Sequence, residues 1–332
     1  MSGEDRYARQ IAVPAFGERG QHAVRAARVA VVGAGGLAAT AAPALVGAGI
    51  GRLTLFDGDR VDRTNLHRQV LFREEDAGRL KAEVAVERLS ALNPEVELVA
   101  RTRFLEPDGL GAELDGHDLV LDCADRFSVS YSLSDYGRGQ GVPLVSASVT
   151  GLSGYAGAFC GAAPSLHAVF PDLPVRAGSC ASEGVLGPVV GLLGNLQAQM
   201  TLGILAGLEP SPLGQLVTVE APGWRFGGFR FDRAPEPEGA ARLCFLGPAE
   251  IREEDFVLDV RGPQEGPALA PQAVRIPWEE VGPHGPLPAP GQRAVIGCCS
   301  GVRAQLAARR LARTWQGETC LVATGPAPGL PA

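Results

Sequence analysis

The stretch RVAVVGAGGLAATAAPALVGAGIGRLTLFD, Arg28 to Asp57, reads as one strand-turn-helix-strand unit. Arg28 to Val32 is a short run rich in β-branched residues, the Ala-rich segment after the glycines suits a helix, and Arg52 to Asp57 is a second strand. Gly33, Gly35 and Ala38 satisfy G-x-G-x-x-[GA] between strand and helix, with Gly36 beside them, and Asp57 stands 24 positions beyond Gly33. Glycines there let backbone approach phosphate, the helix N-terminus supplies positive potential, and the acid can accept ribose hydroxyls. This pattern alone suits NAD as well as ATP.

Outward from that unit the alternation continues. Strands are expected at Glu97 to Thr102, Asp118 to Asp122 and Pro143 to Ser146, with helices at Gly78 to Leu92 and Phe127 to Gly137. The fold class is therefore α/β, with a Rossmann-like, mostly parallel sheet covered by helices on both faces. DRAPEPEGAA, Asp232 to Ala241, has no apolar periodicity and reads as a linker. A second, smaller α/β pattern follows. Val257 to Val260, Ala294 to Ile296 and Thr319 to Ala323 read as strands, Val302 to Thr314 as a helix, and the Pro- and Gly-rich span Gly262 to Gly291 as loop.

Length and charge agree with two globular units. The chain has 332 residues, 45% of them hydrophobic, enough for two cores. A net charge of -7 with no basic run makes nucleic acid and anionic membrane poor partners. The N-terminus lacks the apolar core of a signal peptide. Gly184 to Leu208 is apolar enough to raise a membrane span, but Asn195, Gln197 and Gln199 in its middle favour a buried helix. Seven cysteines, none at C-x-x-C spacing, suit a reducing cytoplasm. Twenty-nine of the thirty basic residues are Arg, and Lys81 is the lone Lys. A compact ammonium fits a single phosphate oxygen in a way that guanidinium does not, which marks Lys81 out.

Between Asp57 and Lys81 lies DGDRVDRTNLHRQVLF, which adds Asp59, Asn65, Arg68 and Gln69. A dehydrogenase has no need of that set. Handling a triphosphate does call for it, since Arg68 and Lys81 can neutralise phosphate oxygens while Asn65 and Gln69 orient them.

Together, RYARQ (6–10), VVGAGGLA (31–38), LTLFDGDRVDRTNLHRQVLF (53–72), GRLKAE (78–83), LNP (92–94), LVLDCAD (119–125), PLVSAS (143–148) and SCASEGVLGPVVGLLGNLQAQ (179–199) resemble the MoeB/ThiF adenylyltransferases. These relatives of ubiquitin-activating enzymes adenylate the C-terminal glycine of a ubiquitin-like sulfur carrier. The resemblance implies an ATP-binding adenylation domain over residues 1–232. It assigns Gly33, Gly35, Gly36, Asp57, Asp59, Asn65, Arg68, Gln69 and Lys81 to ATP, and Asp125 to Mg²⁺. It also implies that Arg9 reaches the ATP of a neighbouring subunit in a homodimer, and that Cys180 can take the carrier as an acyl disulfide. No general base is required, because a terminal carboxylate is already ionised at neutral pH.

Departures from the family pattern are equally definite. Ser165 and Ala168 stand where one pair of zinc cysteines is usual, and the linker offers no second pair, so no structural zinc site is expected. Asp125 is followed by Arg126 where Asn is usual, and Ser130 replaces a common Arg.

Beyond a linker at 233–248, residues 249–325 resemble a single rhodanese domain, with 326–332 as a tail. Cys298, Cys299, Ser300, Gly301, Val302 and Arg303 follow a strand and open a helix. Such a loop points backbone N–H groups inward, and Arg303 with the helix dipole is expected to lower the thiol pKa. The resemblance places Cys298 at the sulfur-carrying position, although phosphatases share the cradle and the upstream ALAPQAV (268–274) departs from the family's usual stretch.

The expected function is adenylation of a sulfur carrier ending in Gly-Gly, followed by sulfur transfer from Cys298 to give a thiocarboxylate. A persulfide donor such as a cysteine desulfurase would load that thiol. Two other readings stand beside it: activation of a different carboxylate without sulfur transfer, and a nucleotide-binding scaffold without chemistry.

Overall fold

A computed structural model describes residues 3–174, 184–237, 242 and 244–325. Helices α1 (Gly3–Ile11) and α2 (Gly17–Ala26) precede the unit that the opening stretch encodes: β1 (Arg28–Val32), α3 (Ala38–Gly47) and β2 (Arg52–Phe56). There follow α4 (Lys81–Leu92), β3 (Glu97–Arg101), α5 (Leu110–Leu114), β4 (Leu119–Asp122), α6 (Phe127–Gln140) and β5 (Pro143–Thr150). Next come β6 (Ser153–Cys160), α7 (Leu166–Val169), α8 (Gly187–Leu205), β7 (Gln215–Glu220) and β8 (Arg225–Arg230).

These strands form one sheet in the order β3-β2-β1-β4-β5-β6-β7-β8. The first five are parallel, with Val31 opposite Leu55 on one side and Leu121 on the other. Strands β1, β2 and β4 are buried on both faces, which is why their sequences are continuous apolar runs. Strand order reverses between β1 and β4, and the carboxyl ends of strands at such a switch point are where open α/β sheets take ligands. From β6 onward the sheet is antiparallel.

The long apolar helix is a core element. Helix α8 packs on α3 and against β5 and β6, and half of its apolar window is buried. Its Gln197 donates to the Asp122 carbonyl at 2.7 Å, which accounts for an amide amid leucines. Close approach to α3 requires small residues: a Cβ on Gly194 would collide with Thr40 and the Leu37 carbonyl.

The second sheet comprises β9 (Phe245–Leu246), β10 (Phe256–Asp259), β11 (Val274–Arg275), β12 (Ala294–Cys298) and β13 (Thr319–Ala323), with α9 (Val302–Leu311) between the last two. All its pairings are parallel, in the order β11-β10-β12-β13-β9. Strand β9 lies inside the stretch expected as linker, and β11 inside the stretch expected as loop. Both are only two residues long, too short for a periodic signal.

The two sheets share apolar packing. One cluster runs from Val32, Leu144 and Phe159 through Phe245 to Ile296 and Leu321. Phe245 stands 6.1 Å from the Tyr131 ring of α6. Leu173 N–H donates to Gln305 Oε1 of α9 at 3.0 Å, Gln305 Nε2 donates to Asp172 at 3.2 Å, and Arg309 of α9 pairs with Asp172.

Candidate active site

Gly33 follows β1 with φ +97°, and a Cβ there would stand 2.6 Å from the Cys123 carbonyl. Both facts demand glycine, and both follow from the chain turning away beside the end of β4. Gly35 opens toward Gln69: a Cβ on Gly35 would lie 4.0 Å from the amide nitrogen. Gly36 abuts α8, where an added Cβ would meet Val190 at 2.7 Å. Asp57 fastens the turn from behind. Its Oδ2 accepts from Ala34 N–H and its Oδ1 from Asp59 N–H, each at 2.7 Å. Burial pushes the Asp57 carboxyl pKa up, against those two hydrogen bonds.

Lys81 is the first residue of α4, where a positive charge opposes the helix dipole. Helix stability therefore does not explain it. The side chain is 6% exposed, with Nζ 3.1 Å from Asp59 Oδ2, while Asp59 itself is 55% exposed. Lys81 N–H also donates to the Asp59 carbonyl at 2.9 Å. The lone ammonium is thus held in place beside an open carboxylate.

Arg68 is held by an amide and an imidazole. Nη2 donates to Asn65 Oδ1 at 2.6 Å, and Nη1 lies 2.7 Å from His67 Nε2. No carboxylate pairs with Arg68 among the described residues, so its charge is available to an anion. Gln69 is buried, and its Oε1 has no hydrogen-bond partner. An orphaned acceptor beside a glycine turn fits a ligand that brings its own donor, as a nucleoside hydroxyl or amine does. The structure therefore links Gly33, Gly35, Gly36, Asp57, Asp59, Asn65, Arg68, Gln69 and Lys81 through contacts around one glycine turn.

Asp125 follows β4, exposed and without an ion pair among the described residues. Its neighbour Arg126 binds Glu106 at 2.7 Å and covers the Phe104 ring. Arg9 is exposed in the last turn of α1. Cys180 lies outside the described residues. At the first of the two positions where the family's first cysteine pair is usual, Ser165 donates to Glu236 through N–H and Oγ, at 2.7 and 2.5 Å; the second is Ala168, which has no polar side-chain atom. Among the described residues no three His, Cys, Asp or Glu side chains are grouped to hold a metal.

One residue of this region escaped the sequence reading. Asp122 ends β4 fully buried, accepting from Ser146 Oγ at 2.7 Å and Ala124 N–H at 3.1 Å. Burial raises its pKa to about 6. Nothing in LVLDCAD distinguishes it from Asp125; burial alone separates the two carboxylates.

In the second sheet, Cys298 ends β12 with no exposed surface. Its Sγ accepts from Gly301 N–H at 3.0 Å and Ala304 N–H at 3.4 Å. Gly301, at φ +90°, makes the turn that aims these donors. Arg303 has a different role from the one expected. It does not stand free to act on Cys298, because both its Nη atoms bind Glu265, at 2.9 and 2.5 Å. The hydrogen bonds from Arg303 hold the Glu265 pKa down, to about 2. Glu265 also accepts from Cys299 Sγ at 3.2 Å. Burial, and then that carboxylate, push the Cys299 thiol up to about 11. Glu265 is the fourth residue of the Pro- and Gly-rich span that opens at Gly262, with no local signal that it reaches this loop.

Residues 7–240, more than two thirds of the chain, match the ThiF family. The chain belongs to that family. It is 42% identical over 216 residues to a protein of Aspergillus niger named adenylyltransferase and sulfurtransferase uba4, covering 61% of this chain and 45% of that protein. A Pyricularia oryzae protein of the same name is 35% identical over 308 residues, covering 83% of this chain and 62% of that one. This ThiF-family chain therefore spans less than two thirds of the curated relatives it matches. Its fold is that of Escherichia coli MccB, solved with AMPCPP and MccA, at a TM-score of 0.62, 21% identity, and coverage of 70% of this chain and 73% of that one.

Proposed function

We propose that this ThiF-family chain adenylates the C-terminal glycine of a ubiquitin-like sulfur carrier with ATP, and that its second domain, read as rhodanese-like, supplies sulfur to make a thiocarboxylate. The observation that carries this reading is that Arg68 and Gln69 border the Gly33–Gly36 turn, that Lys81 is tied to it through Asp59 and Asp57, and that Gln69 Oε1 is left without a partner. The carrier carboxylate forms a bond to the α-phosphorus, the bond to the β-phosphate oxygen breaks, and pyrophosphate leaves. Lys81 and Arg68 offset charge that grows on the phosphate oxygens, and Asn65 keeps the Arg68 guanidinium oriented. Asp57 holds the turn through Ala34 N–H, and Gly33 N–H is spent on the Phe56 carbonyl, so Gly35 and Gly36, just ahead of α3, are the turn residues that offer N–H groups to phosphate. Asp125, exposed and unpaired, is the residue suited to hold Mg²⁺, which would neutralise the departing pyrophosphate.

Arg9 on α1 is assigned to the nucleotide of a second copy, which makes the working unit a homodimer. A persulfide donor of the cysteine desulfurase type is the proposed source of sulfur, in the cytoplasm. The names of the fungal relatives support the paired activities, and the MccB structure that holds both AMPCPP and MccA supports a nucleotide site on this fold that works beside a second ligand.

Carrier-dependent exchange of labelled pyrophosphate into ATP tests the reading. Lys81→Ala should slow exchange on the order of a hundredfold, the scale of losing one phosphate-stabilising cation. Cys298→Ala should leave exchange unchanged and abolish thiocarboxylate formation. Exchange indifferent to Lys81→Ala would refute the assignment. The complete burial of Cys298 favours a second reading, activation of a carboxylate without sulfur transfer. Exchange that persists while no thiocarboxylate forms from a persulfide donor would select it.

A further inference from the structure

Cys244 and Cys320 take no part in either site described above. Strands β9 and β13 run parallel with Leu321 opposite Phe245, and Leu321 N–H donates to the Cys244 carbonyl at 2.7 Å. The two cysteines therefore sit side by side on adjacent strands. Both are free thiols, and their Sγ atoms are 3.1 Å apart. That is about 1 Å beyond a covalent S–S bond of about 2.05 Å, and neighbouring strands stand at a separation that a disulfide spans.

We propose that Cys244 and Cys320 are a redox modification site, closing into a reversible intrachain disulfide when the chain meets a two-electron oxidant of the peroxide class. Cys244 is the partly exposed member and Cys320 is buried. The Cys320 S–H donates to Cys244, which draws the Cys244 thiol pKa down, so peroxide reacts there first. The Cys244 thiolate sulfur bonds to one peroxide oxygen and the O–O bond breaks. The other oxygen leaves as hydroxide and becomes water on taking up the thiol's proton, leaving a sulfenic acid. The Cys320 sulfur then bonds to the Cys244 sulfur, and the hydroxyl departs as water with the Cys320 proton. Two thiols and one hydrogen peroxide become one disulfide and two waters, each sulfur losing one electron.

The staple would act at a sensitive place. Phe245, next to Cys244, packs so closely on the Cys298 loop that a Cβ on Gly301 would stand 2.9 Å from its ring. Fixing β9 to β13 fixes that aromatic beneath the loop. The proposal concerns these two thiols alone and does not depend on the adenylation reading.

Trypsin gives a direct test on the full chain, since residues 243–252 and 314–332 are separate peptides with one cysteine each. After limited hydrogen peroxide and alkylation, the two should appear linked, two hydrogens lighter than their sum, and reductant should part them. Oxidised protein should also melt above reduced protein. In Cys320→Ser the sulfenic acid has no partner, so dimedone labelling of Cys244 should rise at least about tenfold over wild type. Cys244→Ser should leave Cys320 unoxidised, and melting in reducing buffer checks that both variants fold. Recovery of both peptides as free alkylated thiols, a link between two chains, or equal dimedone labelling in wild type and Cys320→Ser would overturn the proposal.

Discussion

Glu265 decides the state of the Cys298 loop because it binds both Arg303 and Cys299. Glu265→Gln removes the charge that keeps the Cys299 proton on and frees the guanidinium. The midpoint of Cys299 alkylation, now governed by a pKa near 11, should move to lower pH in the variant while staying above the ordinary thiol value, since burial remains. Iodoacetamide rates against pH, read peptide by peptide, check this. The acid side follows from sign. A Glu265 pKa of about 2 lies below the unfolded value of about 4.3. Its contribution to stability is therefore present above pH 4.3 and lost as pH falls toward 2. Asp122 has the opposite sign. Its pKa of about 6 exceeds the unfolded value of about 3.9, so stability present below pH 3.9 is lost as pH rises through 6, on the order of 3 kcal/mol. Asp122→Asn should flatten that slope: its stability relative to wild type, from urea unfolding, should be greater at pH 7 than at pH 4.

Among the elements, α3 and α8 show what small residues do. A Cβ on Gly194 has no room between Thr40 and the Leu37 carbonyl. Gly194→Ala should therefore destabilise by about 1–3 kcal/mol, despite alanine's better helix propensity, because the helices must part. A lower urea midpoint with unchanged m-value is the expected measurement. This scale was also the most legible in sequence. Strand β1, the glycine turn, α3 and β2 fall where Arg28 to Asp57 put them, because alternation of apolar runs with glycine is a local signal. Strands β6 to β8 gave no such signal. Strand β8, RFGGFR, is exposed along its length and carries two glycines, so its strand character comes from pairing with β7 and not from its own composition. The site divides along the same line: Lys81 and Arg68 stand in a motif, whereas the roles of Asp122 and Glu265 are set by burial and by contacts distant in sequence.

For the whole molecule, the shared apolar cluster sets cooperativity. Phe245 joins α6, β9 and the Cys298 loop, and truncating a buried Phe costs about 3–5 kcal/mol. Calorimetry should show a single transition for the wild type. Phe245→Ala should split it, with the second sheet melting first. A wild type that already melts in two steps would show that the interface adds little to either half.

Gly301 carries a further consequence for how the chain can change over time. A Cβ on this glycine would meet both Phe245 and Leu173, so the backbone that presents N–H groups to Cys298 is moulded by side chains far away in the sequence. Drift at position 173 is thereby drift in the thiol loop. A larger residue there would press on a turn that has no side chain to move aside, and a smaller one would leave the turn unsupported. A change at Leu173 in the first domain therefore bears on the backbone that surrounds Cys298 in the second, and the two halves are not exchangeable parts.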